Sequence, residues 1–274
     1  MPTAHKKIIQ GYYSRRAHDY DKQKTRTWKS KLGFEAKILN EAVDAVSQVK
    51  DGLIQEVGVG SGRVTLPLMK KRASQFIGLD FSKEMLQITQ MKMSAHKQRF
   101  NLLIGDAENL PFHKNVFDAI ICISTLHYFS SPKTSLEEIS RTLKKRGIFF
   151  YGDVTMHESD HGNFLDKLEK TISYAHGKYS RPSEMKKLIE SCGIQIDKVE
   201  VIPYKKSYTS LYEDKAQYFN IEPESLYEKI NEATENERKL YDIKKSQMTL
   251  FYTLIKGLRQ DQKNVEMENI EERL

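Results

Sequence analysis

A glutamate, three closely spaced glycines and two aspartates are the residues of this sequence best placed to do chemistry. Glu56-Val57-Gly58-Val59-Gly60-Ser61-Gly62-Arg63 follows a short apolar run and opens a helix-like stretch. A tight glycine turn there lets the backbone approach a ligand closely, and the helix start behind it offers unpaired N–H groups to a negative or polar group. Asp80 ends the next apolar run, about 20 residues after the glycines, where a carboxylate can accept from both hydroxyls of a ribose. Ser82 follows at a position suited to cap the next helix. Asp106, in Gly105-Asp106-Ala107, ends a third run. Its carboxylate can accept from an exocyclic amine while the N–H of Ala107 donates to a ring nitrogen, which suits an adenine.

Two other nucleotide chemistries compete for the same glycines. A phosphate-binding loop of the Walker type ends in Gly-Lys-Ser/Thr, whereas this one ends in Gly62-Arg63-Val64 and is rejected. A dinucleotide turn reads G-x-G-x-x-G; here the third glycine comes one residue early. Glu56 beside a pyrophosphate would also repel it. A ligand carrying a sulfonium and an ammonium would attract that acid, so the spacing favours S-adenosylmethionine over a dinucleotide. No metal is expected.

The elements that must position these residues are legible as alternation. Apolar, strand-like runs at 53–57, 75–79, 100–104, 116–123 and 147–151 are separated by helix-like stretches at 64–72, 83–97 and 134–144. Strand and helix in turn argue for a parallel sheet with helices on both faces, and right-handed crossovers make it doubly wound. All three candidate ligand positions then fall at the carboxyl ends of strands, where open parallel sheets bind ligands. A polar, aromatic leader over 11–28 and a helix over 34–49 come first. Helices near 163–174 and 182–191, a strand over 194–202, a charged helical stretch over 211–245 and a last strand over 248–256 come after. The tail from 260 is almost wholly polar and is expected to fray.

Composition restricts the class. The chain has 274 residues, 39% of them hydrophobic, enough for one ordinary core with an appended lobe. No apolar run approaches the ~20 residues that span a bilayer, and the basic N-terminus has no apolar stretch behind it, so a soluble, cytoplasmic protein is expected. Cys122 and Cys192 both sit in apolar surroundings and read as small buried side chains. The net charge of +7 admits nucleic acid as a partner. The lysines are scattered among acids without an aromatic-interleaved stripe, which favours solvated surface instead.

Taken together, Glu56–Gly62, Leu79-Asp80-Phe81-Ser82-Lys83-Glu84-Met85-Leu86, Gly105-Asp106-Ala107 with Leu110-Pro111-Phe112, and Phe117-Asp118-Ala119-Ile120-Ile121 resemble the class I S-adenosylmethionine-dependent methyltransferases. Leu126-His127-Tyr128-Phe129, the stretch 136–144 with Gly147, and the leader 12–21 resemble the subgroup that includes quinone-biosynthesis and other small-molecule enzymes. The resemblance implies a Rossmann-like, doubly wound, mostly parallel seven-stranded sheet with an antiparallel last strand. N-terminal helices over 1–50 would cover the cofactor, a methyltransferase domain would span 51–258 with a helical insertion at about 209–246, and a polar tail would occupy 259–274. It implies that Glu56 and the turn Gly58, Gly60 and Gly62 hold the methionine moiety. Asp80 would hold the ribose with Phe81 beside the adenine, and Asp106 and Ala107 would hold the adenine. Ser124 would lie near the methionine part, and Tyr20 would cover the site.

Methyl transfer to a small organic acceptor, at carbon, oxygen or nitrogen, is the leading expectation. Such a displacement needs alignment and exclusion of water more than a catalytic triad. Where the acceptor must lose a proton, His127 is the candidate general base, since it follows the fourth strand and should face the cleft. Tyr128, Asp153 and His157 are further candidates for the acceptor pocket, while Asp118 reads as structural. The aromatic residues of the insertion could line a lid or a homodimer contact. An RNA or protein methyltransferase is the alternative; Ser124-Thr125-Leu126-His127 in place of an Asn/Asp-Pro-Pro-aromatic segment argues against base amines. A cofactor-binding regulatory protein without activity is a third reading, which the intact glycine turn and Asp80 disfavour.

Overall fold

The computed structural model describes residues 3–29, 32–71, 74–94 and 99–260. The end of the helix expected over 83–97 and the tail beyond 260 lie outside the described residues. Among these residues seven strands make one sheet, in the order β3-β2-β1-β4-β5-β7-β6. They are β1 (Leu53–Val57), β2 (Gln75–Asp80), β3 (Phe100–Ile104), β4 (Phe117–Ile123), β5 (Leu143–Thr155), β6 (Ile194–Ser207) and β7 (Gln247–Arg259). The first five pair in parallel, and β7 lies antiparallel between β5 and β6. The fold is the expected Rossmann-like one. The strand order reverses direction between β1 and β4, which opens a crevice at their carboxyl ends.

The strands are buried on both faces, as parallel strands must be when helices cover them. Along β4, Ala119, Ile121 and Ile123 join one core cluster with Ile38 and Ala42 of α2 (Leu32–Ala45), Leu68 of α3 (Thr65–Lys71) and Leu86 of α4 (Lys83–Lys92). Ile120 and Cys122 point the other way, toward Leu136 and Ile139 of α5 (Pro132–Thr142) and Ile189 of α7 (Pro182–Ser191). Strand alternation thus builds two cores from one strand. Cys122 and Cys192 are free and buried.

Local chemistry sets the helix starts. Ser82 accepts from Met85 N at the start of α4, and Ser131 does the same for Thr134 N before Pro132 opens α5. The leader forms one helix, α1 (Ala4–Lys29). Strand β5 runs four residues past the expected 147–151, to Thr155, because Ile148–Thr155 pairs residue by residue with Leu258–Phe251 of the long β7. The stretch between β6 and β7 holds α8 (Tyr208–Asp214), a 3-10 turn at Ala216–Phe219, α9 (Pro223–Asn231) and α10 (Glu235–Leu240). With α6 (Phe164–Ile172) these form a third core around Tyr208, Leu226, Ile230 and Tyr241. No described helix is long and apolar enough to cross a membrane.

Candidate functional site

The carboxyl ends of β1 to β4 and the first half of α1 line a cavity. Glu56, Gly58, Gly60, Asp80, Phe81, Asp106, Ala107, Ser124 and Tyr20 all line it. Gly58 has φ 75°, and a Cβ there would stand 2.3 Å from Thr125 Oγ1, so only glycine fits the turn. Its N–H and that of Val59 donate to Leu79 O at 2.8 and 3.0 Å, which ties the turn to the end of β2. Gly62 is not among the lining residues: a Cβ at its φ of 74° would lie 2.9 Å from Met93 Cε. It lets the turn pack against the segment that ends α4.

The three acids are held differently. Glu56 is buried and accepts from Thr65 N at 3.0 Å and from Thr65 Oγ1. Burial pushes its carboxyl up to about 7, against the pull of the Thr65 bonds and the Arg63 charge. Asp80 accepts from Gly60 N at 2.7 Å and Ser82 N at 2.9 Å, and burial raises its pKa despite these bonds. Asp106 accepts from Glu108 N at 3.0 Å and pairs with Lys6 Nζ of α1 at 2.6 Å. Lys6 also reaches Glu108 at 2.7 Å, and the two acids outweigh burial in raising the amine's pKa. The leader helix is therefore fastened across the cavity by an ion pair at one of the candidate adenine positions.

A second cavity of about 770 Å³ adjoins the first, and Tyr13, Tyr20, Arg63, Ser124 and Tyr128 line both. Its other walls come from far apart in the chain: Phe34, Glu169, Tyr179, Tyr204, Leu211, Lys215 and Tyr252 among them. Two ion pairs brace it, Arg63 with Glu35 and Lys215 with Glu169. Ser124, at φ 54° past the end of β4, shares a hydrogen bond of 2.7 Å with Tyr252 Oη at the joint wall.

His127 lines the second cavity rather than the first. It belongs to a 3-10 turn, Leu126–Tyr128, that follows β4. Its Nδ1 lies 2.7 Å from Asp153 Oδ1 on β5, and its backbone N–H donates to Asp153 Oδ2 at 3.2 Å. Asp153 is 1% exposed, and its Oδ1 also accepts from Val154 N at 2.8 Å. The buried Nε2 of His127 has no hydrogen-bond partner. Tyr128 lines both cavities, but His157 lines neither; its backbone N–H donates to Tyr241 Oη at 3.0 Å and its ring rests on Tyr241 and Phe251. Asp118 accepts from Leu53 N at 2.9 Å and pairs with Lys144 at 2.8 Å, at the far end of its strand from the cavities.

A family profile described as a methyltransferase domain matches residues 55–151. The chain is 30% identical over 118 residues to a demethylmenaquinone methyltransferase of Thermotoga maritima, a match covering 42% of this chain and 49% of that protein. It is 29% identical over 169 residues to an uncharacterized protein of Methanocaldococcus jannaschii, covering 56% of this chain and 75% of the relative. The crystal structure of the YcgJ protein from Bacillus subtilis superposes with a TM-score of 0.74 at 20% identity, over 82% of this chain and 99% of that one, and so shares the fold. Residues 55–151 thus carry a methyltransferase domain, set in a Rossmann-like sheet of the kind that the solved structure shares. The chain spans about half the length of the quinone-biosynthesis relative.

Several residues that shape the candidate site carry no signal in the sequence. Lys6 lines the first cavity, yet it belongs to no motif with a readable role. Arg63 follows the glycine turn directly and could have been found by asking where that turn's next side chain points. Tyr179, Tyr204 and Tyr252 could not, because nothing in their spacing brings them to one wall.

Proposed function

We propose that this protein transfers a methyl group from S-adenosylmethionine to a small organic acceptor, with the cofactor in the first cavity and the acceptor in the second. The observation that carries this reading is the shared wall: the two cavities meet at Ser124, Tyr13, Tyr20, Arg63 and Tyr128. The cofactor supplies an electrophilic methyl on a sulfonium. Glu56, buried with a pKa pushed up to about 7, is a carboxyl that a neighbouring cation would return to its charged form. Together with Gly58 and Gly60 it would hold the methionine end. Asp80 would take the ribose, Phe81, Asp106 and Ala107 the adenine, and Ser124 and Tyr20 the neighbourhood of the reacting methyl.

In this reading residues 51–258 form the transferase domain, α1 and α2 cover the cofactor, and the insertion at about 209–246 completes the acceptor wall through Leu211 and Lys215. The placing of the second cavity between α1, β6 and the insertion supports a small acceptor. Calorimetric titration with S-adenosylmethionine and S-adenosylhomocysteine, on the native protein and on Asp80→Ala, tests the cofactor assignment. Micromolar binding by the native protein supports it; no binding of either ligand by the well-folded protein overturns it.

A further inference from the structure

Among the described residues, four cations share the wall of the second cavity with two carboxylates: Arg16, Arg63, Lys206 and Lys215 against Glu35 and Glu169. Arg63 lines the first cavity too, whereas the other three cations line the second alone. Two of them stand where the local pattern calls for an apolar side chain. Arg16 follows the buried Tyr12 by one turn of α1 and is only 3% exposed. Lys206 shares the inward face of β6 with Ile202 and Tyr204 and is 6% exposed, while its neighbours Lys205 and Ser207 face out. Burying a cation is costly unless something compensates it. Each has partners in the protein. Arg16 Nη1 donates to Tyr12 Oη at 2.6 Å, and its guanidinium lies 4.9 Å from the centre of the Tyr20 ring. Arg63 pairs with Glu35 and Lys215 with Glu169, and Lys206 has an interaction of its own. These partners do not exhaust the donors, because a guanidinium and an ammonium each carry several N–H groups and accept nothing. The wall is therefore rich in donors and in positive charge, and the rings of Tyr128, Tyr179, Tyr204 and Phe34 add flat apolar surface to it.

We propose that the methyl acceptor is a planar organic anion, whose carboxylate or phosphate group sits among Arg16, Lys206 and Lys215 and whose flat body lies against the tyrosines. The proposal rests on the transferase reading above and adds the charge and shape of the acceptor to it. An oxyanion accepts from several donors at once and offsets the positive charge of the wall. A neutral acceptor leaves that charge unanswered, and a protonated amine is repelled by it. Both carboxylates of the wall are already engaged by Arg63 and Lys215, so neither is placed to welcome a cation. Arg63 lines both cavities, and the assignment does not depend on it.

The test measures binding and needs no turnover. The protein is saturated with S-adenosylhomocysteine, so that the first cavity is filled, and titrated with four probes of similar body: benzoate, phenyl phosphate, neutral benzamide and cationic benzylamine. Ligand-observed NMR reads affinities down to the millimolar range. The expected result is that at least one anion binds about tenfold or more tighter than benzamide, with benzylamine weakest; the better of the two anions tells carboxylate from phosphate. Lys206→Met keeps the stem and removes the charge. It should bring the preference to within about threefold, with S-adenosylhomocysteine affinity as in the native protein. Benzamide or benzylamine binding as tightly as both anions overturns the proposal, as does the absence of binding by all four. Anions that displace S-adenosylhomocysteine, or a preference kept in full by both Lys206→Met and Arg16→Gln, place the anion elsewhere and overturn it too. Should a variant not fold, the comparison of probes on the native protein still decides. Failure of the native protein to bind S-adenosylhomocysteine sinks the transferase reading instead, and the charge preference is then read on the ligand-free protein.

Discussion

The two adjoining cavities are built on opposite plans. The first is made of short segments, each placed at the end of a neighbouring strand: the turn after β1, Asp80 at the end of β2, Asp106 after β3 and Ser124 after β4. Its polar groups hold one another through backbone bonds, such as Gly60 N to Asp80 and Ser82 N to Asp80. The second draws single side chains from α1, α6, β6, α8 and β7, braced by ion pairs between residues far apart in sequence. A space of the first kind tolerates little change in its backbone. A space of the second kind can be altered one side chain at a time, which is how a common scaffold takes on different acceptors.

The sharpest way to break this contrast is Gly58→Ala. It forces a side chain into a left-handed backbone and against Thr125, at a cost of about 3 kcal/mol from strain and contact together. S-adenosylhomocysteine affinity should fall more than about 100-fold and the melting temperature should drop. Affinity within threefold of native would mean that the turn is not the rigid part of the site.

Glu56 gives an effect of similar size with a defined pH window. Its folded-state pKa of about 7 lies above the ordinary 4.5, so the folded, ligand-free protein binds the proton more tightly than the unfolded chain. Stability therefore declines as pH rises from 4.5 through 7, by about 3 kcal/mol in all, and Glu56→Gln should remove that slope in denaturant titrations. Binding of S-adenosylmethionine at pH 6 should release close to one proton, read from calorimetry in buffers of different ionisation enthalpy. Proton uptake, or none, would place the ligand's positive charge elsewhere.

Asp80→Ala should weaken cofactor binding about tenfold or more, ~1.4 kcal/mol, in the same calorimeter. On the other side of the shared wall, Tyr204→Ala removes a ring stacked 4.3 Å from Phe34. It should raise the acceptor KM severalfold, ~1 kcal/mol, while the cofactor Kd stays within twofold. Equal losses in both would show that the cavities are not separable. Lys6→Ala should have the smallest effect, a two- to threefold faster cofactor dissociation, in line with ~0.5 kcal/mol for a half-screened ion pair.

Legibility followed the same division. Residues 53–57 and 100–104 were readable as strands to the residue, because each is a short apolar run bounded by polar or glycine-rich turns. Glu56, Asp80 and Asp106 were readable as a set because strand ends come at regular intervals in an alternating fold, Ser124 was implied by the family resemblance, and all four line one cavity. Gly62 was assigned to the ligand by its place in the turn, yet its neighbours are Met93 and Thr89. His127, expected to face the cleft, lines the second cavity and not the first, and its bond to Asp153 depends on the pairing of β4 with β5. His157, equally plausible from sequence, is turned toward Tyr241 and Phe251.

What the sequence determined by itself was the alternation of elements, the glycine turn and the acids at the strand ends, all features set within a few residues of one another by sterics, burial and capping. The tertiary structure decided the rest: that α1 lies over the cavity through Lys6, that Arg63 meets Glu35, and that Tyr179, Tyr204 and Tyr252 share a wall with His127. Those contacts join residues more than 20 apart in the chain, and no local preference encodes a meeting whose partners are chosen only when sheet, leader and insertion pack together.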